Sequence, residues 1–129
     1  MAKENPAHLK YTATHEWVKA ENNTATCGIT DHAQELLTDI VFVELPAQGR
    51  QVKKGERLAV VESVKSVSDI YAPVTGIVTA VNDKLGDSPE LVNKDAFGAG
   101  WMFKIECGDA TELDKLLSRD QYEQSLRGD

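Results

Sequence analysis

One lysine set between two strand-forming runs is the feature of this sequence best suited to chemistry. The stretch Val61-Glu62-Ser63-Val64-Lys65-Ser66-Val67-Ser68-Asp69 follows Leu58-Ala59-Val60 and precedes Ile70-Tyr71-Ala72-Pro73. Both flanks are rich in β-branched and aromatic residues, which predicts a hairpin with Lys65 at or beside its tip. The tip has no Asn-Gly or Asp-Gly, so a four- or five-residue loop built on a type I turn is expected. A loop lysine is ordinarily just solvated. Three features point further. Val64 and Val67 are apolar where turns favour Gly, Asn or Asp. Glu62 and Asp69 place acid on both sides. Lys65 is the only lysine between Lys54 and Lys84. A primary amine displayed this way suits an enzyme that must acylate one lysine and no other, with Glu62, Val64 and Asp69 as its recognition marks.

Nothing else in the chain offers a nucleophile or a metal site. His8, His15 and His32 lack metal-ligand spacing. Cys27 and Cys107 form no Cys-x-x-Cys pair and read as reduced core residues. No Ser-His-Asp or Cys-His pattern marks a catalytic centre. The glycines of Asp95-Ala96-Phe97-Gly98-Ala99-Gly100 are followed by no P-loop lysine and open no helix.

Composition narrows the partners. The chain has 129 residues, 41% hydrophobic and 27% charged, enough for one domain spanning 1–129. Its formal net charge of −7 disfavours nucleic acid and anionic membranes, which need clustered Lys and Arg. No apolar run approaches the roughly 18 residues of a membrane span. Met1-Ala2-Lys3-Glu4-Asn5-Pro6 has neither a signal core nor the character of a transit peptide, so a cytoplasmic, bacterial protein is expected.

Stepping along the chain, residues 1–8 read as loosely ordered. Leu9–Thr12 and Thr14–Lys19 read as extended, the latter with Trp17 as a core aromatic. Glu21–Thr24 is a turn, and Ala25–Ile29 returns as the second strand of a hairpin. Thr30 suits an N-cap for a short helix, Asp31–Leu37, with Ala33, Leu36 and Leu37 on one face. Asp39–Pro46 is a strand ended by its proline. Pro46-Ala47-Gln48-Gly49 and Pro73-Val74-Thr75-Gly76 each lead into a β-rich run, a faint internal repeat. Asn82–Pro89 reads as a loop and Pro89–Asn93 as a short extended piece. Trp101–Cys107 is the last strand, with Trp101, Phe103 and Ile105 on one face. From about 109 to 127 the period becomes helical. Asp109-x-x-Glu112 and Ser118-x-x-Gln121 are two candidate capping boxes with a break near Ser118. The fold class expected is mainly β, two antiparallel sheets with a short internal helix and a C-terminal helical segment.

The segment Glu62–Asp69 resembles the lipoyl-attachment hairpin of the glycine cleavage system H-protein family. Biotinyl carriers place Met on both sides of the lysine; here the neighbours are Val64 and Ser66, which favours lipoyl. The family more often has Ala at the position of Ser66. The resemblance extends over nearly the whole chain: Tyr11 with Thr14-His15-Glu16-Trp17, Gly28 to Leu36, Val41 to Pro46, Tyr71-Ala72-Pro73 to Gly76, Ser88 to Asn93, and Gly100-Trp101. Phe97 stands where the family usually has Tyr.

The resemblance implies a lipoyl/biotinyl-like barrel-sandwich hybrid and a non-catalytic, monomeric carrier with lipoate in amide linkage on Lys65. It implies a shuttle of the aminomethyl group of glycine from the pyridoxal-phosphate glycine decarboxylase to the tetrahydrofolate-dependent aminomethyltransferase. Dihydrolipoyl dehydrogenase would reoxidise the arm, and a lipoate ligase or octanoyltransferase would attach it. Alternatives from other classes are a lipoyl relay serving other enzymes, a biotinyl carrier and an unmodified interaction module. Lysine plus lipoyl is about ten bonds, a reach on the order of 10–15 Å. A loaded arm carries an ammonium that is easily lost to water. It should fold back onto a carboxylate or hydroxyl, for which Thr14, Glu16 and Asp69 are the candidates. Trp17 could wall such a cleft, although strand alternation points it away from Glu16.

Overall fold

The computed structural model describes residues 5–127. Its strands are β1 (Lys10–Tyr11), β2 (Glu16–Glu21), β3 (Thr24–Ile29), β4 (Ile40–Glu44), β5 (Gln51–Val52), β6 (Arg57–Ser63), β7 (Val67–Tyr71), β8 (Gly76–Val81) and β9 (Phe103–Cys107). The helices are α1 (Asp31–Leu37), α2 (Lys84–Asp87), α3 (Leu91–Lys94), α4 (Thr111–Asp114) and α5 (Arg119–Arg127). All strand pairs are antiparallel. One sheet runs β1-β2-β3-β9-β8-β5 and the other β4-β6-β7.

Local chemistry explains the tightest connections. Asn22 and Asn23 both have positive φ, 47° and 68°, between paired Glu21 and Thr24. That is the geometry of a two-residue hairpin loop whose twist matches its strands, and asparagine tolerates it. Thr30 caps α1 as expected, its hydroxyl accepting from the Ala33 amide at 3.2 Å. The two Pro-x-x-Gly passages lie side by side, because β5 after Gly49 pairs with β8 starting at Gly76 (Val52 opposite Gly76). Their glycines serve different ends. Gly49 has φ +92°, whereas a Cβ on Gly76 would stand 1.9 Å from the Glu106 carbonyl oxygen.

Val18, Ile29, Val61, Ile70, Val78 and Phe103 belong to the main core. A second cluster of Leu9, Tyr11, Trp17 and Tyr122 is closed by Phe97 and Trp101. Trp17 is the core aromatic expected, and its indole N–H donates to the Ala96 carbonyl at 2.8 Å. Each such aromatic buries about 150–250 Å², worth about 4–6 kcal/mol at ~25 cal/mol/Å². Cys27 and Cys107 are free and buried.

Several expectations are corrected. Asn5 and Pro6 are held down: Asn5 Nδ2 donates to Glu123 at 3.1 Å and Tyr11 Oη to the Pro6 carbonyl at 2.6 Å. Residues 1–4 lie outside the described range. The segments read as loop and extended piece carry α2 and α3, each seating one side chain, Leu85 or Val92, in the main core. Four-residue helices show no period to read. Trp101 precedes β9 and joins the second cluster. The first capping box does not form. Glu112 reaches the Thr75 amide (2.6 Å) and hydroxyl (3.0 Å) instead. The second does: Ser118 N–H donates to Gln121 Oε1 at 2.9 Å and Gln121 N–H to Ser118 Oγ at 3.2 Å.

Candidate functional site

The β6–β7 hairpin displays Lys65 on a three-residue connection, Val64-Lys65-Ser66, shorter than the loop expected from composition. No residue of it has positive φ. Ser63 closes it. Its amide donates to the Ser66 carbonyl at 2.8 Å, and its hydroxyl oxygen accepts from the amides of Lys65 (3.2 Å) and Ser66 (2.9 Å). A serine hydroxyl thus supplies the turn order that Asn-Gly provides elsewhere.

The tip is also moored sideways. Val64 N–H donates to the Asp39 carbonyl at 3.0 Å. The Thr38–Ile40 segment is gripped by Asn93, which accepts from the Ile40 amide (2.9 Å) and donates to the Thr38 carbonyl and to Gln34 Oε1 (2.8 Å each). Thr38 sits at φ 64°, an uncommon conformation for a β-branched residue, and persists because these contacts over-determine it. Lys65 is exposed, and no ion pair holds it among the described residues.

At the other end of β7 lies a cleft of about 350 Å³, lined by Thr12, Thr14, Glu16, Lys54, Gly55, Tyr71, Ala72 and Pro73. Glu16 forms its floor and is 1% exposed. Its Oε1 accepts from the hydroxyls of Thr12 and Thr14, each at 2.5 Å, and its Oε2 from the Tyr71 amide at 3.5 Å. Burial pushes the carboxyl above its ordinary range, and these three donors pull it partly back. A solvated strand carboxylate is therefore not what Glu16 is.

The turn presenting Thr14 is braced from behind. His15 has φ 72°, and its amide donates to the Thr12 carbonyl at 3.2 Å. Its Nδ1 lies 2.8 Å from Tyr122 Oη, which lies 2.8 Å from Thr30 Oγ1. Burial lifts the Tyr122 phenol to about 12; the Thr30 hydrogen bond opposes the lift and the Glu16 charge adds to it.

Of the candidate docking residues, Thr14 and Glu16 come together in the cleft and Asp69 does not. Asp69 pairs with Val60 on the outer face of the small sheet and meets Arg57 at 3.5 Å, an exposed pair worth about 0–1 kcal/mol. Glu62 and Asp69 are not symmetric about the tip either: Glu62 faces Val67 in the first pair below it, and Asp69 stands two pairs further down, opposite Val60. Trp17 points into the second cluster and does not wall the cleft. Thr12, Tyr71, Ser63 and Asn93 were missed as site residues. The Ser-Val-Lys-Ser spacing could have marked Ser63 as a turn closer; the others carry no local signal.

From Val67 to Tyr71 is four strand steps, about 13 Å. An exposed amine is thus separated from a buried carboxylate cleft by one strand length. A family model described as "Glycine cleavage H-protein" matches residues 9–129. The chain belongs to the glycine cleavage H-protein family. It is 56% identical to the glycine cleavage system H protein of Idiomarina loihiensis over 125 residues, covering 96% of this chain and 97% of that one. It is 55% identical to that of Thermotoga maritima, covering 89% and 93%. The crystal structure of the glycine cleavage system H protein from Mycobacterium marinum superposes with a TM-score of 0.88 at 35% identity, covering 95% and 99%. The fold is accordingly the mainly β, lipoyl-like barrel-sandwich expected, and the chain is a carrier component, not a catalytic enzyme. No described helix is long and apolar enough to cross a membrane, and no group of metal-binding side chains forms among the described residues.

Proposed function

We propose that Lys65 is the lipoylated residue and that the chain carries the aminomethyl group of glycine between enzymes. In this reading the decarboxylase loads the arm, the aminomethyltransferase unloads it and dihydrolipoyl dehydrogenase reoxidises it. A lipoate ligase or octanoyltransferase attaches lipoate, and the carrier acts as a cytoplasmic monomer. Lipoate, when bound, supplies the dithiolane sulfur chemistry; the protein supplies display, reach and shelter.

The observation that carries the reading is the match between arm and hairpin. An arm of about 10–15 Å on Lys65 is comparable in length with β7, roughly 13 Å, which runs from beside the tip to the cleft. There Glu16 offers a carboxylate to an ammonium, with the Thr12 and Thr14 hydroxyls and the Tyr71 amide fixing its orientation. An exposed ion pair is worth about 0.2–1 kcal/mol. In a cleft with an effective dielectric near 20 the raw Coulomb term at 4 Å is about 4 kcal/mol. A relay that only handed lipoyl groups onward would need no such cleft.

Intact-mass measurement after reaction with a lipoate ligase tests the reading. Wild type is expected to gain one lipoyl group and Lys65→Arg none. A lipoyl mass on Lys65→Arg, or none on wild type, would overturn it.

A further inference from the structure

Six large apolar side chains stand out from the described surface: Leu36, Val41, Phe42, Val64, Val67 and Ile77. Five fall in two segments, 36–42 and 64–67, which are tied together by the bond from Val64 N–H to the Asp39 carbonyl. Strand register orders them. Phe42, Glu62 and Val67 form one row across the small sheet, and Glu44, Val60 and Asp69 form the next row on the same face, two residues along. The alternate positions Val43, Val61 and Ile70 are buried, so both rows lie on the outer face. Phe42 is 50% exposed and Val67 64%.

This face is acidic as well as apolar. Glu44, Glu62 and Asp69 are answered only by Arg57, which is on Asp69. Among the described residues neither Glu44 nor Glu62 has an ion-pair partner. On the β4 side the edge is a poor template for an added strand, because the β4–β6 register breaks between Ile40 and Phe42.

We infer that the Phe42–Glu62–Val67 face is the docking surface for the enzyme that acylates Lys65, and that this enzyme meets it with an apolar patch rimmed by Lys and Arg. The inference rests on the carrier reading above. Reach selects the occupant. A lysine amine stands only about 6 Å from its Cα, four single bonds of side chain beyond Cβ. Amide formation on it brings an active site against Val64 and Val67, and so over the row that continues to Phe42. Enzymes that work on a finished arm meet its end on the order of 10–15 Å away and can stand off. The step is balanced. The deprotonated amine attacks an acyl group activated as an acyl-adenylate, the C–N bond forms, the acyl C–O bond breaks, and AMP leaves with the electron pair as the nitrogen loses a proton. The amine has to be offered squarely, and a face beside it supplies the orientation.

The test is the steady-state kinetics of a purified lipoate ligase, with lipoate and ATP saturating and the unmodified chain varied. Phe42→Ser and Val67→Ser are each expected to raise KM for the chain at least five-fold with kcat within two-fold, the mark of lost docking alone. Ile77→Ser, an exposed apolar residue on the other sheet, should match wild type. Once lipoylated, Phe42→Ser should support glycine-dependent carbon dioxide exchange by the decarboxylase at the wild-type rate. The inference is overturned if both KM values stay within two-fold of wild type, if Ile77→Ser shifts equally, or if the lipoylated variant fails equally with the decarboxylase. If wild type itself gains no lipoyl group, the carrier reading falls and this inference falls with it. A lipoylated wild type with unchanged variant kinetics would overturn the docking face alone.

Discussion

The Tyr71 amide nitrogen and Glu16 Oε2 stand 3.5 Å apart, joining the strand that descends from Lys65 to the carboxylate one strand length below it. The buried carboxyl and the displayed amine are thereby linked through β7. Glu16→Gln should leave lipoylation of Lys65 unchanged and shorten the life of the loaded arm several-fold. Ammonia release from the isolated loaded protein measures this; equal rates would remove any protective role from Glu16.

The same carboxylate sets a pH dependence. Desolvation raises the Glu16 pKa in the folded state, so its charge is lost at a higher pH than that of an ordinary glutamate. On the proposed reading, shelter for an ammonium should be present above that raised pKa and lost as pH falls through it. Stability moves the other way. Between the ordinary and raised values the folded state binds the proton and the unfolded state has released it, so unfolding free energy falls as pH rises. The ionised carboxyl costs stability above the window, and the cost is gone below the unfolded value. Urea midpoints measured across this window should slope downward with pH for wild type, and Glu16→Gln should remove that part of the slope.

Ser63 is the turn closer at the tip. Ser63→Ala removes the acceptor of two backbone amides at an exposed site, so the cost to global stability should be small, about 0.5–1.5 kcal/mol. The effect on presentation of Lys65 should be larger, with a several-fold drop in ligase kcat/KM. A wild-type ligation rate would show that the hydroxyl does not order the tip.

Asn93 grips the strained segment that moors the tip. Asn93→Ala leaves the Ile40 amide and the Thr38 carbonyl without their partner, and Thr38 loses part of what holds it at positive φ. A loss of about 1–3 kcal/mol is expected by denaturant titration, chiefly from the part-buried Ile40 amide, since water can reach the exposed Thr38 carbonyl. A change under 0.5 kcal/mol would mean that Thr38 does not depend on this grip.

Tyr122 braces the cleft from the far side. Tyr122→Phe keeps the ring stacked 4.9 Å from Tyr11 and removes only the hydroxyl shared by His15 and Thr30. The expected loss is about 1–3 kcal/mol. If the brace positions Thr14 and Glu16, ammonia release from the loaded arm should also quicken while lipoylation stays unchanged. Stability loss without faster release would confine Tyr122 to packing.

The sequence alone determined what depends on near neighbours. The β-branched runs around Lys65 specify a hairpin, Thr30 caps α1, Asn22-Asn23 makes a tight turn, and Ser118 with Gln121 opens α5. In each case the interacting groups lie within a few residues, where turn chemistry and side-chain period act directly. The tertiary structure decided which distant groups meet. Glu16 finds Tyr71 across 55 residues, Asn93 finds Ile40 across 53, and His15 finds Tyr122 across 107. Glu112, in a plausible local box, turns instead to Thr75. Asp69 and Glu16 are both acids near the hairpin base, yet register sends one to the solvent face and leaves the other to be buried beside the Thr12–His15 turn. A one-residue change of register exchanges the faces of a strand. That choice is made by the closure of the whole core, which no local pattern encodes.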